Sequence, residues 1–196
     1  PVLAELCRHR AGLIVLAGPT GAGVSTTVAA LCQEMNHNQA RRVLTLEQPI
    51  EFVFTPQRCT FVQREVEPGR GFADALRDAG RAGFDVICAG ELRGSEAVAL
   101  ALGAAEGGAL VLATVRSGSV VRTLEHLVNG FPSEQQLWAR GVLSNALQGV
   151  CVQMLIPKAD GSGRCAVTEM LVSTPGVASA IREGYIRSAY AEADDT

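Results

Sequence analysis

The sequence predicts an α/β domain: a mainly parallel sheet flanked by helices on both faces. Three observations point there. Apolar runs at 11–17, 85–89 and 109–114 are short and continuous, as in strands buried on both sides. Stretches with helical character alternate with them, which is the order of βαβ units. The first run leads through a glycine-rich turn into a segment with Val28, Leu31, Cys32 and Met35 on one helical face.

The elements follow in order. The strand at 11–17 ends at the glycine-rich turn, and the amphipathic helix comes next. A second strand at 42–47 is broken by Pro49, and short strands at 52–54 and 59–62 flank a turn at Pro56. A helix over 71–82 precedes the strand at 85–89. The Ala- and Leu-rich stretch 95–106 reads as helix and 109–114 as strand. A helix over 120–128 stops before Gly130-Phe131-Pro132. Ser133 can cap the next helix, whose apolar stripe is Trp138, Val142, Ala146 and Leu147. Strands at 150–156 and 165–172 are joined by the turn Asp160-Gly161-Ser162-Gly163. Ser173 or Thr174 caps a helix with Pro175 in its first turn. The acidic tail from Glu192 is expected to fray.

Composition narrows the function. The 196 residues suffice for one domain with a full core, and 47% hydrophobic content fits a globular chain. Residues 1–196 contain no repeat or linker, so they read as one domain. The chain opens on Pro1 without an initiator Met, and we expect it to be part of a longer protein. A net charge of -3 without blocks of like charge argues against nucleic acid as a partner. No apolar run reaches the length of a membrane span, and no secretory signal is visible. The six cysteines show no C-x-x-C spacing, so we read them as small buried residues in a reducing cytoplasm rather than zinc ligands.

Chemistry concentrates in four places. The run Gly18-Pro19-Thr20-Gly21-Ala22-Gly23-Val24-Ser25-Thr26 has the layout of a phosphate-binding loop, G-x-x-x-x-G-K-[ST], with Val24 at the lysine position. Such a loop wraps backbone N–H groups around phosphates and places a hydroxyl, here Ser25, on Mg²⁺. Glu47-Gln48-Pro49-Ile50-Glu51 follows the second strand; it is either a solvated turn or the source of a carboxylate that activates water. Glu91 sits at the carboxyl end of the strand at 85–89, the place of a Walker B acid that holds Mg²⁺ through water. Thr114, Arg116 and Ser117 follow the next strand, where they either face a γ-phosphate or lie on the surface. Arg77 and Arg81 lie four apart on a helix, as fingers reaching a neighbouring subunit or as partners in local ion pairs, Arg77 with Asp74 among them.

Beyond these motifs the chain resembles, over nearly its whole length, the core ATPase domain of the type II/IV secretion superfamily. The nearest likeness is to the type IV pilus retraction (twitching motility) ATPases. The residues that carry it are Gly18-Pro19-Thr20-Gly21 with Gly23 and Ser25-Thr26-Thr27, then Leu46-Glu47, Pro49-Ile50-Glu51-Phe52, Gln63-Arg64-Glu65-Val66 and Gly90-Glu91-Leu92-Arg93. Phe131-Pro132, Gly163-Arg164, Thr174-Pro175 and Ile181-Arg182-Glu183-Gly184 continue it.

The resemblance implies a RecA-like P-loop NTPase core with an N-terminal domain upstream. It also implies ATP and Mg²⁺ bound between the subunits of a homo- or hetero-hexamer. The nucleotide-binding residues would be Gly18, Thr20, Gly21, Ala22, Gly23, Val24, Ser25 and Thr26. The family's catalytic glutamate falls on Glu51, its Walker B glutamate on Glu91, and its interface-crossing arginines on Arg77 and Arg81. Such a motor is cytoplasmic, peripheral to the membrane, and docks on an inner-membrane pilus or secretion platform protein.

The departures sit in the nucleotide motifs. Val24 replaces the Walker A lysine. Gln48 replaces the aspartate of the acidic box, and Val115-Arg116-Ser117 stands where the family has Leu-His-Thr. Residues 176–180 depart from the C-terminal retraction motif, while Ile181-Arg182-Glu183 keeps it. Three functions follow as alternatives: an impaired or regulatory subunit, an active ATPase in which Arg116 supplies the missing charge, or a scaffold without nucleotide.

Overall fold

The computed structural model describes residues 2–67, 71–79 and 82–191. A short helix α1 (Val2–Leu6) leads to β1 (Gly12–Ala17) and the long helix α2 (Val24–Asn38). Strands β2 (Arg42–Glu47) and β3 (Thr60–Glu65) precede α3 (Phe72–Ala79). Then β4 (Val86–Glu91), α4 (Gly94–Glu106) and β5 (Leu110–Val115) alternate. Helices α5 (Val120–Asn129) and α6 (Ser133–Ala146) lead into the hairpin of β6 (Leu147–Pro157) and β7 (Arg164–Val172), and α7 (Pro175–Glu183) and α8 (Ile186–Ala191) follow.

The strands form one sheet in the order β3-β2-β4-β5-β1-β6-β7. Every neighbouring pair is parallel except β6–β7, which is a hairpin. The expected architecture is therefore the observed one. Alternation along each strand divides the core in two. Leu13, Val15, Leu44, Leu46, Ile87 and Val111 face helices α3 to α8. Ile14, Leu16, Val43, Val86, Leu110 and Leu112 face α1 and α2 with Leu31, Cys32 and Met35. Continuous apolar runs are required in the central strands because each of them fills both cores.

Several local expectations need correction. Residues 52–54 form no strand. The Gln63 side chain takes the place of a neighbouring strand: its Nε2 donates to Phe52 O at 2.7 Å and its Oε1 accepts from Phe54 N at 3.0 Å. In α6 the N-cap is Pro132 and Ser133 is the first helical residue. Trp138 is 50% exposed, its ring set edge-on to Phe131; the buried stripe is Ala139, Val142, Leu143 and Ala146. An indole tolerates this because it can lie along a surface, whereas the smaller side chains fit under the helix. Thr174, not Ser173, caps α7 by accepting from Val177 N. Cys165 is exposed on β7 while the other five cysteines are buried. The expected helix over 71–82 is described as α3 alone, since 80–81 lie outside the described residues, as does the tail from Glu192.

Burial has a titration consequence. It pushes the Cys7 thiol up to about 12. The Cys32 contact at 3.3 Å, and then burial, push Cys88 well up too. The unfolded chain loses these thiol protons near pH 9 and the folded chain holds them longer, so folding stability falls as pH rises from about 9 towards 12. Urea unfolding at stepwise pH should show this decline, and Cys7→Ala should make it shallower.

Candidate functional site

Strands β1, β2, β4 and β5 are parallel, so their carboxyl ends share one edge of the sheet, where ligands of such folds sit. The glycine-rich loop leaves β1 at this edge. Gly21 and Gly23 have φ of 81° and 79°, in the left-handed region open to glycine, and this turn carries the chain straight into α2. Ser25 and Thr26 are exposed on the first turn of α2. Val24 is partly buried and packs against the core between the sheet and α2. The side chain at the lysine position thus contributes apolar packing and no charge.

A cleft of about 830 Å³ opens beside the loop. Ser25, Glu47, Glu51, Glu91, Arg93 and Arg116 are among its lining residues. The Glu47 carboxylate is fixed from three sides. Its Oε1 accepts from Thr45 Oγ1 at 2.7 Å and Gln63 Nε2 at 3.2 Å, and its Oε2 accepts from Glu51 N at 3.3 Å. Gln48 donates from Nε2 to Val66 O at 3.1 Å, so it ties its loop to the segment after β3. The Glu51 side chain is left exposed.

Glu91 ends β4 beyond an irregularity in which Cys88 pairs with Leu112 and Glu91 with Thr114. Gly90 makes this possible. Its φ is 59°, and a Cβ there would lie 2.3 Å from the Phe72 ring and 2.8 Å from Leu46 O. Both carboxylate oxygens of Glu91 meet guanidinium groups: Oε1 lies 3.1 Å from Arg116 Nε and Oε2 lies 2.7 Å from Arg93 Nη2. The carboxylate is 23% exposed and Arg116 61%, so the pair stands at the mouth of the cleft rather than in the core. The cleft therefore contains cationic groups, but they come from the ends of β4 and β5 and not from the loop.

Arg77 forms ion pairs with Asp74 at 2.6 Å and with Glu96, linking α3 to α4. The two carboxylates raise its pKa, the hydrogen bond that it donates to Asp74 most of all. Arg81 lies outside the described residues. Among the described residues, no cluster of three or more His, Cys, Asp or Glu side chains is placed to hold a metal ion, and no helix is long and apolar enough to cross a membrane. A divalent ion here would need oxygens from a bound phosphate or water beside Ser25 and Glu91.

Known proteins with the same arrangement identify the lineage. The profile of the type II/IV secretion system protein family matches residues 1–193. The chain belongs to that family. It is 42% identical over 180 residues to the type IV pilus retraction ATPase PilT of Pseudomonas aeruginosa, covering 91% of this chain and 52% of that protein. The crystal structure of the pilus retraction motor PilT with bound ADP superposes with a TM-score of 0.92 at 41% identity, covering 97% of this chain and 56% of that one. The ATPase DotB of Legionella pneumophila gives 0.88 at 30% identity, covering 97% of this chain and 53% of that one. The fold is thus the P-loop-type α/β fold of the secretion ATPases, and the chain spans about half the length of these relatives.

Within this secretion-family fold Ser25, Glu51, Glu91 and Arg116 line one cleft, whose lining does not include Gly18 to Val24 or Thr26, while Arg77 on α3 reaches α4. Sequence reasoning missed Gln153 on β6, whose side chain touches the loop from the far side. It lies more than a hundred residues from the loop, and only the adjacency of β6 to β1 reveals the contact. It also left Glu47 without a specific partner, since the anchor Gln63 comes from a separate strand.

The backbone at Gly90 carries its own test. Gly90→Ala should destabilise the fold by about 2–3 kcal/mol, because a methyl group meets the Phe72 ring and a backbone carbonyl at a positive φ. Urea unfolding should show a lower midpoint with an unchanged slope.

Proposed function

We propose that this chain is the C-terminal core of a type IV pilus or secretion motor ATPase that binds ATP weakly and is impaired in hydrolysis. The observation that carries the proposal is Val24, an apolar, partly buried side chain packed against the core at the position where this loop type has a charged group facing phosphate. A bond to a charged partner contributes about 1.5–3 kcal/mol, so its loss weakens triphosphate binding by roughly ten- to a hundredfold. Phosphoryl transfer depends on neutralising charge at the γ-phosphate and slows correspondingly.

In this reading Gly18 to Gly23 surround the phosphates with backbone N–H groups, while Ser25 and Thr26 offer hydroxyls at the helix start. Ser25, and Glu91 through water, would hold Mg²⁺, which neutralises phosphate charge when bound. Glu51 is exposed in the cleft and is suited to orient and deprotonate an attacking water. Glu91 must exchange at least part of its arginine pairing to serve the hydrated ion. The likeness to the ADP-bound pilus retraction motor supports nucleotide as the ligand. In this reading the full protein would assemble as a hexameric ring on the cytoplasmic face of the inner membrane, against a pilus or secretion platform protein. Arg77 and Arg81 are the candidates for reaching a neighbouring site, and Arg77 would have to leave Asp74 and Glu96 to do so.

A second reading has its own observation. Arg116 already lies in the cleft beside Glu91, with most of its side chain exposed. A guanidinium pairs well with phosphate oxygens, so Arg116 would turn from Glu91 to the nucleotide and restore activity.

One experiment separates these readings: ATP binding and turnover by the full-length protein as wild type, Val24→Lys and Arg116→Ala. We expect low wild-type turnover and about tenfold tighter binding in Val24→Lys. Wild-type turnover at the level of ordinary family motors, abolished by Arg116→Ala, would establish the second reading instead. Absence of saturable binding in every variant would leave only a scaffold.

A further inference from the structure

The strand β6 does more than continue the sheet. It pairs with β1 through Ala17↔Val152 and runs on to Pro157, past the point where β1 gives way to the glycine-rich loop. The next residue, Gln153, therefore lies behind the loop. The residue is 7% exposed, and both polar atoms of its side chain are used. Nε2 donates to Ala22 O at 2.6 Å, and Oε1 accepts from Thr27 Oγ1 at 2.8 Å. Its backbone also bounds the loop: a Cβ on Gly18 would lie 2.6 Å from Gln153 O.

These contacts fall where the loop is hardest to hold. Ala22 stands between Gly21 and Gly23, both at positive φ, so its carbonyl is turned by two glycines with little conformational preference of their own. Thr27 is in the first turn of α2. One amide thus joins the crest of the loop to the start of its helix. The amide offers a donor to the carbonyl and an acceptor to the hydroxyl from one planar group. A carboxylate would turn an acceptor on Ala22 O, and an aliphatic side chain would leave that buried carbonyl without its partner.

We infer that Gln153 is the positioning residue of the phosphate loop, fixing the backbone that is to receive the phosphates. The inference rests on the nucleotide-binding reading above for its consequence in affinity, but its structural part stands apart from it. It carries more weight in this chain because Val24 supplies no charge, and so binding would fall back on the backbone N–H groups whose direction Gln153 helps set.

The test uses the full-length protein with two measurements. Hydrogen exchange should accelerate about tenfold or more in peptides covering the loop and the start of α2 in Gln153→Leu, while peptides from β4 and β5 keep wild-type rates. The dissociation constant for a fluorescent ADP analogue should rise by about tenfold or more in the same variant, and likewise in Gln153→Glu. Thr27→Val should show part of both effects and add little on top of Gln153→Leu, since the two share one contact. Should Gln153→Leu fail to fold, Gln153→Glu and Thr27→Val provide the same readings. Wild-type exchange in the loop of these variants would overturn the inference. Exchange that rises equally across the whole sheet would also overturn it, because the residue would then be holding the core and not the loop. Local loosening in these variants, together with a wild type that binds no nucleotide, would uphold the positioning role and defeat the nucleotide reading instead.

Discussion

Burial of both faces of the central strands is the constraint on which the rest of this molecule depends. Leu13 and Val15 fill one core while Ile14 and Leu16 fill the other, so a shift of β1 by one residue would exchange side chains of different shape between the two cores and disturb the packing of both. That fixes where β1 ends and hence where the glycine-rich loop begins. The same requirement places α2 against one face, with its first turn at the carboxyl edge of the sheet. The candidate site is the result: groups from β1, β2, β4 and β5 converge there because their strands are parallel and pinned from both sides.

Charge in the cleft is arranged around this fixed edge. The loop brings glycines, hydroxyls and an apolar Val24, while the cations come from residues following β4 and β5. Arg93 and Arg116 both meet Glu91, so the carboxylate most suited to a hydrated cation is neutralised within the chain. The exposed pairs add little to stability. Their effect is on availability: a ligand entering here must exchange partners with groups that already satisfy one another.

The fold was largely legible in the sequence, and the reason is visible in particular segments. The segment Arg42–Glu47 alternates into two cores and is bounded by a proline, so its pattern and its limits agree with the observed strand. The loop was legible because glycine marks a backbone demand. Residues 52–54 misled because Phe52 and Phe54 have strand-like character, while the hydrogen bonds that decide the matter come from the Gln63 side chain. Trp138 misled for a different reason: its helical spacing fits a buried stripe, but the stripe is rotated towards Ala139 and Leu143. Within the site, Glu51, Glu91 and Arg116 could be placed by their position after strands. The pairing of Glu91 with two arginines and the reach of Gln153 could not, because both depend on side chains meeting across separate strands.

The hold of Gln63 on residues 52–54 has a consequence for how this chain can change over generations. That loop meets the sheet through side-chain amides, with Glu47 receiving the same glutamine, and adds no rung to the β ladder. Outside Phe54, whose ring stacks on Phe61 of β3, substitutions in it need not shift the register of β2 and β3. Glu51 travels on a segment of this kind, whereas Glu91 ends a strand locked between two neighbours. The two acidic positions of the cleft are thus held differently: a change in its loop can move Glu51, while Glu91 stays fixed by the architecture.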